Sequence, residues 1–221
     1  MKLLLTSGGV TNRSIRAALE QMLGKPVAES DALVVPTAQW GHPLCGPGSV
    51  RRVVAAGPDD RLTGLGWASL GVLELTALPS IGAERWVPWV EAADVLLVDG
   101  GDATYLAHWV RASGLADVLP SLRDTVWVGV SAGSMVMAPR IGASFVEWAG
   151  APDDRTLGLV DFAVFPHLDA FPTNTLVHAQ RWAEEIDGPA YAIDEQTAIA
   201  VVDGAVTVVS EGSWTLFGDD E

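Results

Sequence analysis

Short apolar runs alternate with stretches of helical periodicity through the first 138 residues. Five runs are four or five residues long and almost wholly apolar, which is typical of parallel strands covered on both faces. They predict strands at residues 2–6, 32–35, 72–75, 95–98 and 126–130. The stretches between them place apolar residues about one helical turn apart. They predict helices at 15–23, 50–62 (broken near Gly57-Pro58), 86–93 and 103–113.

The pattern changes after residue 138. Shorter runs predict strands at 144–148, 159–165, 191–193, 197–202, 205–210 and 213–217, with one helix at 174–186. Asp203-Gly204 has the composition of a tight hairpin turn, so the strands beside it are expected to be antiparallel. Together the two halves predict one α/β domain over residues 1–221. Its expected architecture is a three-layer α/β/α sandwich whose mostly parallel sheet has an antiparallel C-terminal edge.

Composition narrows the classes of partner and compartment. The formal charge is −15, which argues against nucleic acid and against an anionic membrane surface. No run of eighteen apolar residues occurs, and the apolar start is too short for a signal peptide, so a cytoplasmic protein is expected. The one cysteine, Cys45, excludes an internal disulfide. No phosphate-binding loop, HExxH motif or Cys/His cluster is present, so neither a nucleotide cofactor nor a metal is predicted.

The most informative segment is Gly129-Val130-Ser131-Ala132-Gly133, which follows the apolar run at 126–130. Gly-x-Ser-x-Gly between a strand and a helix is the sequence form of a nucleophile elbow. Glycines on both sides leave room for a sharp bend, and the bend presents the serine hydroxyl near a helix N-terminus. An ordinary strand-to-helix turn is the alternative interpretation.

A nucleophilic serine needs a base and an acid that orients the base. Among the four histidines, His167 follows a predicted strand and a proline, which places it at a strand's carboxyl end. His42 lies in a Gly/Pro-rich loop, and His108 and His178 lie inside predicted helices. Asp194 and Glu195 follow the strand at 191–193, and either carboxylate is a candidate for the acid.

Acyl transfer also needs amide donors for an oxyanion. The amide of Ala132 is one candidate, because it follows the proposed nucleophile. Gly100-Gly101, after the strand at 95–98, offers a second, and Ser7-Gly8-Gly9 is a weaker signal of the same kind.

Six segments in this order resemble the peptidase E family of serine peptidases. That family is of the aspartyl dipeptidase type, akin to cyanophycinases, and is built like class I glutamine amidotransferase domains. The matching segments lie at residues 3–9, 34–38, 99–102, 129–133, 166–167 and 193–198.

The resemblance implies a Ser131–His167–Glu195 triad, with Gly101 and Ala132 as oxyanion donors. The order Ser, His, Glu differs from that of α/β-hydrolases. The implied reaction is hydrolysis of short peptides without a cofactor. The expected partner is a small peptide, and a homodimer is a possible assembly.

Two positions depart from the family pattern. Where an arginine that binds a substrate carboxylate is expected early in the helix after His167, this chain has His178, with Arg181 one turn later. Both are candidate substrate-binding residues, and Arg181 could instead pair with Glu184 or Glu185. At the other position, Asp102 stands where relatives often have Asn. Two further functions stay open: hydrolysis of another amide, as in cyanophycinases, and ligand binding without turnover.

Overall fold

The computed structural model describes residues 1–218, and its main sheet contains seven strands: β1 (Lys2–Thr6), β2 (Asp31–Val35), β3 (Ser69–Val72), β4 (Val95–Val98), β5 (Val126–Val130), β8 (Thr197–Val202) and β9 (Ala205–Ser210). Their order across the sheet is β3-β2-β4-β5-β1-β8-β9. The five strands from β3 to β1 pair in parallel, and β8 and β9 continue the sheet in antiparallel fashion. The parallel sheet and its antiparallel C-terminal edge are thus confirmed.

Helices cover both faces of this sheet. The α-helices are α1 (Arg13–Leu23), α2 (Pro47–Val54), α3 (Ala83–Ala92), α4 (Ala103–Ala112), α5 (Leu115–Val118), α6 (Ala132–Met135) and α7 (Leu176–Ala183). One core packs the sheet against α1 and α2, and a second packs its opposite face against α3, α4 and α6. The strands are apolar on both faces because both faces are buried, as expected for parallel strands. The three-layer prediction is confirmed.

A second, smaller sheet is formed by three strands from the C-terminal part of the chain. It contains β6 (Ala163–Phe165), β7 (Ala190–Ile193) and β10 (Trp214–Phe217) in the order β10-β7-β6. β6 and β7 are parallel, so their carboxyl ends lie at the same edge. His167 follows β6 and Glu195 follows β7, so this pairing brings two distant parts of the sequence together.

Three predicted strands need correction. The strand predicted at 72–75 lies at Ser69–Val72, and a 3₁₀ helix (Leu75–Ser80) takes over the last predicted residue. Only Ala163–Phe165 of the predicted run 159–165 is a strand, because the amides of Leu159 and Val160 both donate to the Met137 carbonyl. The strand predicted at 144–148 is wrong: a 3₁₀ turn (Ala143–Phe145) stands there instead.

Two predicted helices are shorter than expected. The helix predicted at 50–62 is α2, which begins inside the predicted Gly/Pro loop and ends at Val54, before Gly57-Pro58. The helix predicted at 174–186 is α7, which spans Leu176–Ala183.

The single-domain prediction covers residues 1–221, of which 219–221 lie outside the described residues. None of the helices in the described part of the chain is long and apolar enough to cross a membrane.

Candidate active site

Ser131 lies between the end of β5 and the start of α6, in a backbone conformation that is rare for a residue with a side chain. Its φ is 50° and its ψ is −110°. Such a conformation costs on the order of 1–3 kcal/mol, so the surroundings must hold it in place. The Ser131 amide donates to the Thr6 carbonyl at 3.0 Å, and the Ser131 carbonyl accepts from the Ser134 amide at 2.8 Å. The backbone therefore has the strand, strained turn and helix on which the elbow hypothesis depends.

The two glycines of the motif are required by close backbone contacts. A β-carbon on Gly129 would overlap the Gly133 carbonyl, and one on Gly133 would overlap the Val98 carbonyl. The Trp127 indole N–H also donates to the Gly133 carbonyl, at 2.8 Å. The bend at Ser131 is thus packed directly against β4 and leaves no room for larger residues.

The Ser131 hydroxyl is half-buried and has no hydrogen-bond partner within residues 1–218. By contrast, the Ser134 hydroxyl accepts from the Thr6 amide and donates to the Thr6 carbonyl, each at 2.8 Å. Ser134, directly after the motif, therefore connects the turn to β1, whereas the Ser131 hydroxyl makes no such contact.

His167 and Glu195 form a direct pair. The His167 Nδ1–H donates to Glu195 Oε1 at 2.5 Å, and about a quarter of each side chain is exposed, 24% and 31% respectively. Because the carboxylate can only accept, it fixes the proton on Nδ1 and leaves Nε2 to act as a base. No other histidine in the described part of the chain pairs with a carboxylate.

Ser7 positions the backbone of His167, a role that the sequence did not suggest. The buried Ser7 hydroxyl accepts from the His167 amide at 3.0 Å and donates to the Ile193 carbonyl at 2.8 Å. Ser7 therefore connects the segment that follows β6 to the end of β7. His167 itself has a positive φ of 61°, so this fixed backbone position is needed to hold the ring against Glu195.

The structure separates the two adjacent carboxylates. Asp194 accepts from the Gln196 amide, the Thr197 hydroxyl and the Ser213 amide, so it closes the turn between β7 and β8. Glu195 faces His167, and the Thr11 hydroxyl donates to its backbone carbonyl at 2.6 Å. A β-carbon on Gly8 would overlap the Glu195 carboxylate, so the glycine after β1 makes room for this side chain.

One cavity of about 690 Å³ brings most of the candidate residues together. Its lining includes Ser131, His167, Gly101, Ala132, His178 and Arg181. Glu195 lies behind His167 rather than on the wall. His42 also lines the cavity, whereas His108 packs against Trp109 and Trp148 on another part of the surface.

The candidate oxyanion donors face the same space as the serine. Ala132 is the first residue of α6, so its amide has no acceptor inside the helix. The Gly101 amide has no backbone acceptor within residues 1–218. Both residues line the active-site cavity, so their amides remain the candidates for binding a developing negative charge.

The rest of the cavity wall combines charged and aromatic side chains. His178 shares a hydrogen bond with the Thr175 hydroxyl at 2.8 Å. Arg181 is exposed and forms no ion pair with Glu184, Glu185 or any other residue of the described chain. Carboxylates and aromatic rings line the same wall, at Phe145, Glu147, Phe165, Phe171, Trp182 and Glu185. This wall can contact both charged and apolar parts of a substrate.

No group of three His, Cys, Asp or Glu side chains in residues 1–218 is arranged to hold a metal ion.

Asp102 connects the glycine turn to the cavity wall, and this explains the failed strand at 144–148. Its carboxylate is 1% exposed and caps α4 by accepting from the Tyr105 amide at 2.7 Å. Its other oxygen accepts from the amides of Glu147 and Trp148, both at 2.8 Å. These amides are therefore unavailable to a sheet. All of these partners are donors, so a carboxylate suits the position better than the Asn that the family pattern suggests.

We predict that Asp102→Asn lowers the free energy of unfolding by about 2–4 kcal/mol, because an amide NH₂ would face backbone N–H groups. KM is expected to rise, since the segment carrying Phe145 and Glu147 would lose its anchor. Urea unfolding and steady-state kinetics measure the two effects. Asp153→Asn is the control, because Asp153 is exposed and both its ion pair and its hydrogen bond are with the neighbouring Arg155, through the guanidinium and the backbone amide. Equal stability of the two variants would contradict the prediction.

Comparison with known proteins agrees with this fold. The family model of peptidase family S51 matches residues 3–209. A crystal structure of a protein from Listeria monocytogenes EGD-e, named as a candidate peptidase E, superposes with a TM-score of 0.70 at 19% identity; the match covers 96% of this chain and 98% of that one. A peptidase from an acI-B1 Actinobacterium superposes with a TM-score of 0.72 at 19% identity, over 96% of this chain and 88% of that one. No curated protein sequence matches the chain.

Proposed function

The chain belongs to peptidase family S51 and is a serine peptidase, and we propose that it is a dipeptidase that acts through Ser131, His167 and Glu195. The observation that carries the proposal is the 2.5 Å contact between His167 and Glu195, with His167 and Ser131 on one cavity. This arrangement supplies a free hydroxyl, a ring nitrogen able to take its proton, and a carboxylate that orients the ring.

In the proposed reaction, Ser131 Oγ attacks the carbonyl carbon of the scissile peptide bond as His167 Nε2 takes its proton. Glu195 stabilises the imidazolium that forms. The amides of Gly101 and Ala132 bind the oxyanion of the tetrahedral intermediate. His167 then gives the proton to the leaving nitrogen, the C–N bond breaks, and an acyl-enzyme remains. Water, activated by the same ring, hydrolyses the ester and frees Ser131.

The cavity wall supports a short substrate with a free amino terminus. Glu147 and Glu185 line it and can pair with an α-ammonium, while Arg181 is unpaired and can meet a side-chain carboxylate. Aromatic side chains beside them offer apolar contact. Pairing of the α-ammonium with these glutamates would limit the substrate to one residue before the scissile bond, which is what a dipeptidase needs.

A panel of Asp–Ala, Leu–Ala and Phe–Ala, each free and N-acetylated, tests the proposal. We expect the free dipeptides to be hydrolysed at least about tenfold faster than their acetylated forms, because acetylation removes the charge that the two glutamates would bind. Release of alanine measures the rate. Faster cleavage of blocked peptides would indicate another amide hydrolase, and no cleavage of any member would favour a binding domain without turnover.

A further inference from the structure

A second cavity, of about 400 Å³, lies on the other side of the sheet edge from the active-site cavity. It is formed at the carboxyl ends of β1, β2, β4 and β5, where Gly8, Gln39, Asp99, Gly100 and Val130 line it. Ligands of open α/β sheets bind at this edge. Val53 and Leu62 on its wall belong to the core face of α1 and α2, whereas the active-site cavity includes residues of the opposite face.

Ser131 stands between the two cavities. Gly100 lines the second cavity, and a β-carbon built on it would lie 3.9 Å from Ser131 Oγ. The neighbouring Gly101 lines the active-site cavity, and Cys45 borders both. A substrate attacked by Ser131 can therefore place its acyl half in one cavity and its leaving half in the other.

The second cavity offers unpaired positive charge. Arg52 and Arg61 line it, and neither forms an ion pair within residues 1–218. Asp60 is also on the wall, but its Oδ1 already accepts from the amides of Leu62 and Thr63, at 2.9 and 2.8 Å. Asp59 and Asp99 are the other two carboxylates on the wall. Two free guanidinium groups in a polar cleft suit a carboxylate ligand.

The same cavity contains a buried acceptor without a donor. Gln39 is 7% exposed, and its Oε1 has no hydrogen-bond partner in the described residues. Its Nε2 donates to the Asp99 carboxylate. Burial raises the pKa of Asp99, although hydrogen bonds from Gln39 and the Gly100 amide oppose the shift. A buried carbonyl without a donor costs about 1–3 kcal/mol, so a ligand N–H that reached Oε1 through a small movement of the Gln39 side chain would be favourable here.

We propose that the second cavity binds the leaving amino-acid residue of the substrate. Arg52 and Arg61 bind its free α-carboxylate, and Gln39 Oε1 accepts from its nitrogen. One residue with both an N–H and a terminal carboxylate fits this pattern, so the cavity selects peptides that end one residue after the scissile bond. The assignment rests on the proposed dipeptidase function and adds which end of the substrate is recognised.

The test compares the dipeptide of the panel that is cleaved fastest with its C-terminal amide. The amide has the same shape but no negative charge. Wild-type protein is expected to show kcat/KM at least about tenfold higher for the free acid. In the Arg52→Ala/Arg61→Ala double variant the ratio of the two kcat/KM values should fall to near one. The acid loses its ion pairs with the arginines, whereas the amide substrate never formed them. Arg51→Ala is the matched control, since Arg51 is exposed on the same helix but does not line this cavity.

The outcomes distinguish the carboxylate-binding role of the second cavity from the proposed dipeptidase function. A preference that disappears in the double variant and persists in Arg51→Ala supports the assignment. Equal cleavage of acid and amide by wild-type protein overturns it, as does a preference unchanged in the double variant, and in both cases the peptidase function stands. Absence of Ser131-dependent cleavage from every peptide would overturn the dipeptidase proposal and this assignment with it.

Discussion

Ser131→Ala is expected to lower kcat/KM for dipeptides by at least about 10⁴-fold, because it removes the proposed nucleophile and leaves only binding and the oxyanion amides. Stability should change little. The Ser131 hydroxyl makes no hydrogen bond in the described chain, and alanine is no more strained than serine at a φ of 50°. Peptide hydrolysis and thermal unfolding, measured on the same preparation, separate the two effects.

Ser134→Ala is the matched control three residues away. It removes both hydrogen bonds to Thr6 and leaves the Thr6 amide without that partner. We expect a loss of about 2–3 kcal/mol in stability and, for the folded protein, activity within about tenfold of wild type. If Ser131→Ala hydrolyses peptides at the wild-type rate, Ser131 is not the nucleophile.

Glu195→Gln is expected to lower kcat by about 10³- to 10⁴-fold, although it preserves the size of the side chain. An amide can donate to Nδ1 of His167, which would move the ring proton to Nε2, the nitrogen that must accept the serine proton. It also removes the charge that stabilises the imidazolium. Steady-state kinetics at neutral pH measures the loss, and the fold is expected to persist because the Thr11 hydroxyl still holds the backbone of residue 195.

Asp194→Asn tests the alternative acid. Asp194 accepts only from the turn around it, through Gln196, Thr197 and Ser213, so its replacement should lower stability and leave most of the activity. A variant pair with the opposite result, active at Glu195→Gln and inactive at Asp194→Asn, would assign the orienting role to Asp194.

The parallel sheet and the strained serine turn could be predicted from sequence because each depends on neighbouring residues. Strands buried on both faces must be apolar throughout, and the run at 126–130 shows this directly. The Gly129 contact is also local, since this glycine packs against the Gly133 backbone in the same turn, whereas Gly133 packs against the Val98 carbonyl of β4.

The choice between Asp194 and Glu195 depends on contacts that sequence spacing does not contain. Both residues follow β7, and the pattern of apolar positions is the same for either assignment. In the structure, Gly8 makes room for the Glu195 carboxylate, which contacts His167, whereas the Ser213 amide donates to Asp194. Ser7 contacts His167 across 160 positions of sequence, so its role was equally hidden.

The absence of a strand at 144–148 and the presence of the second cavity could not be predicted from the sequence, for the same reason. The run at 144–148 contains Phe, Val and Trp, which favour strands, but the amides of Glu147 and Trp148 donate to the Asp102 carboxylate at the start of α4. Gln39, Arg52, Arg61 and Asp99 come from separate segments, and only the sheet edge brings them to one cavity. Local patterns predict elements, whereas polar contacts between distant segments must be seen in the fold.

Covalent labelling with a fluorophosphonate, followed by mass spectrometry of the intact protein and its peptides, tests the central claim most directly. We expect one adduct on Ser131, much slower labelling in His167→Ala, and none in Ser131→Ala, while Ser134→Ala still reacts. No adduct on the wild-type protein, or an adduct on another residue that persists in Ser131→Ala, would contradict the assignment of Ser131 as a hydroxyl activated by His167.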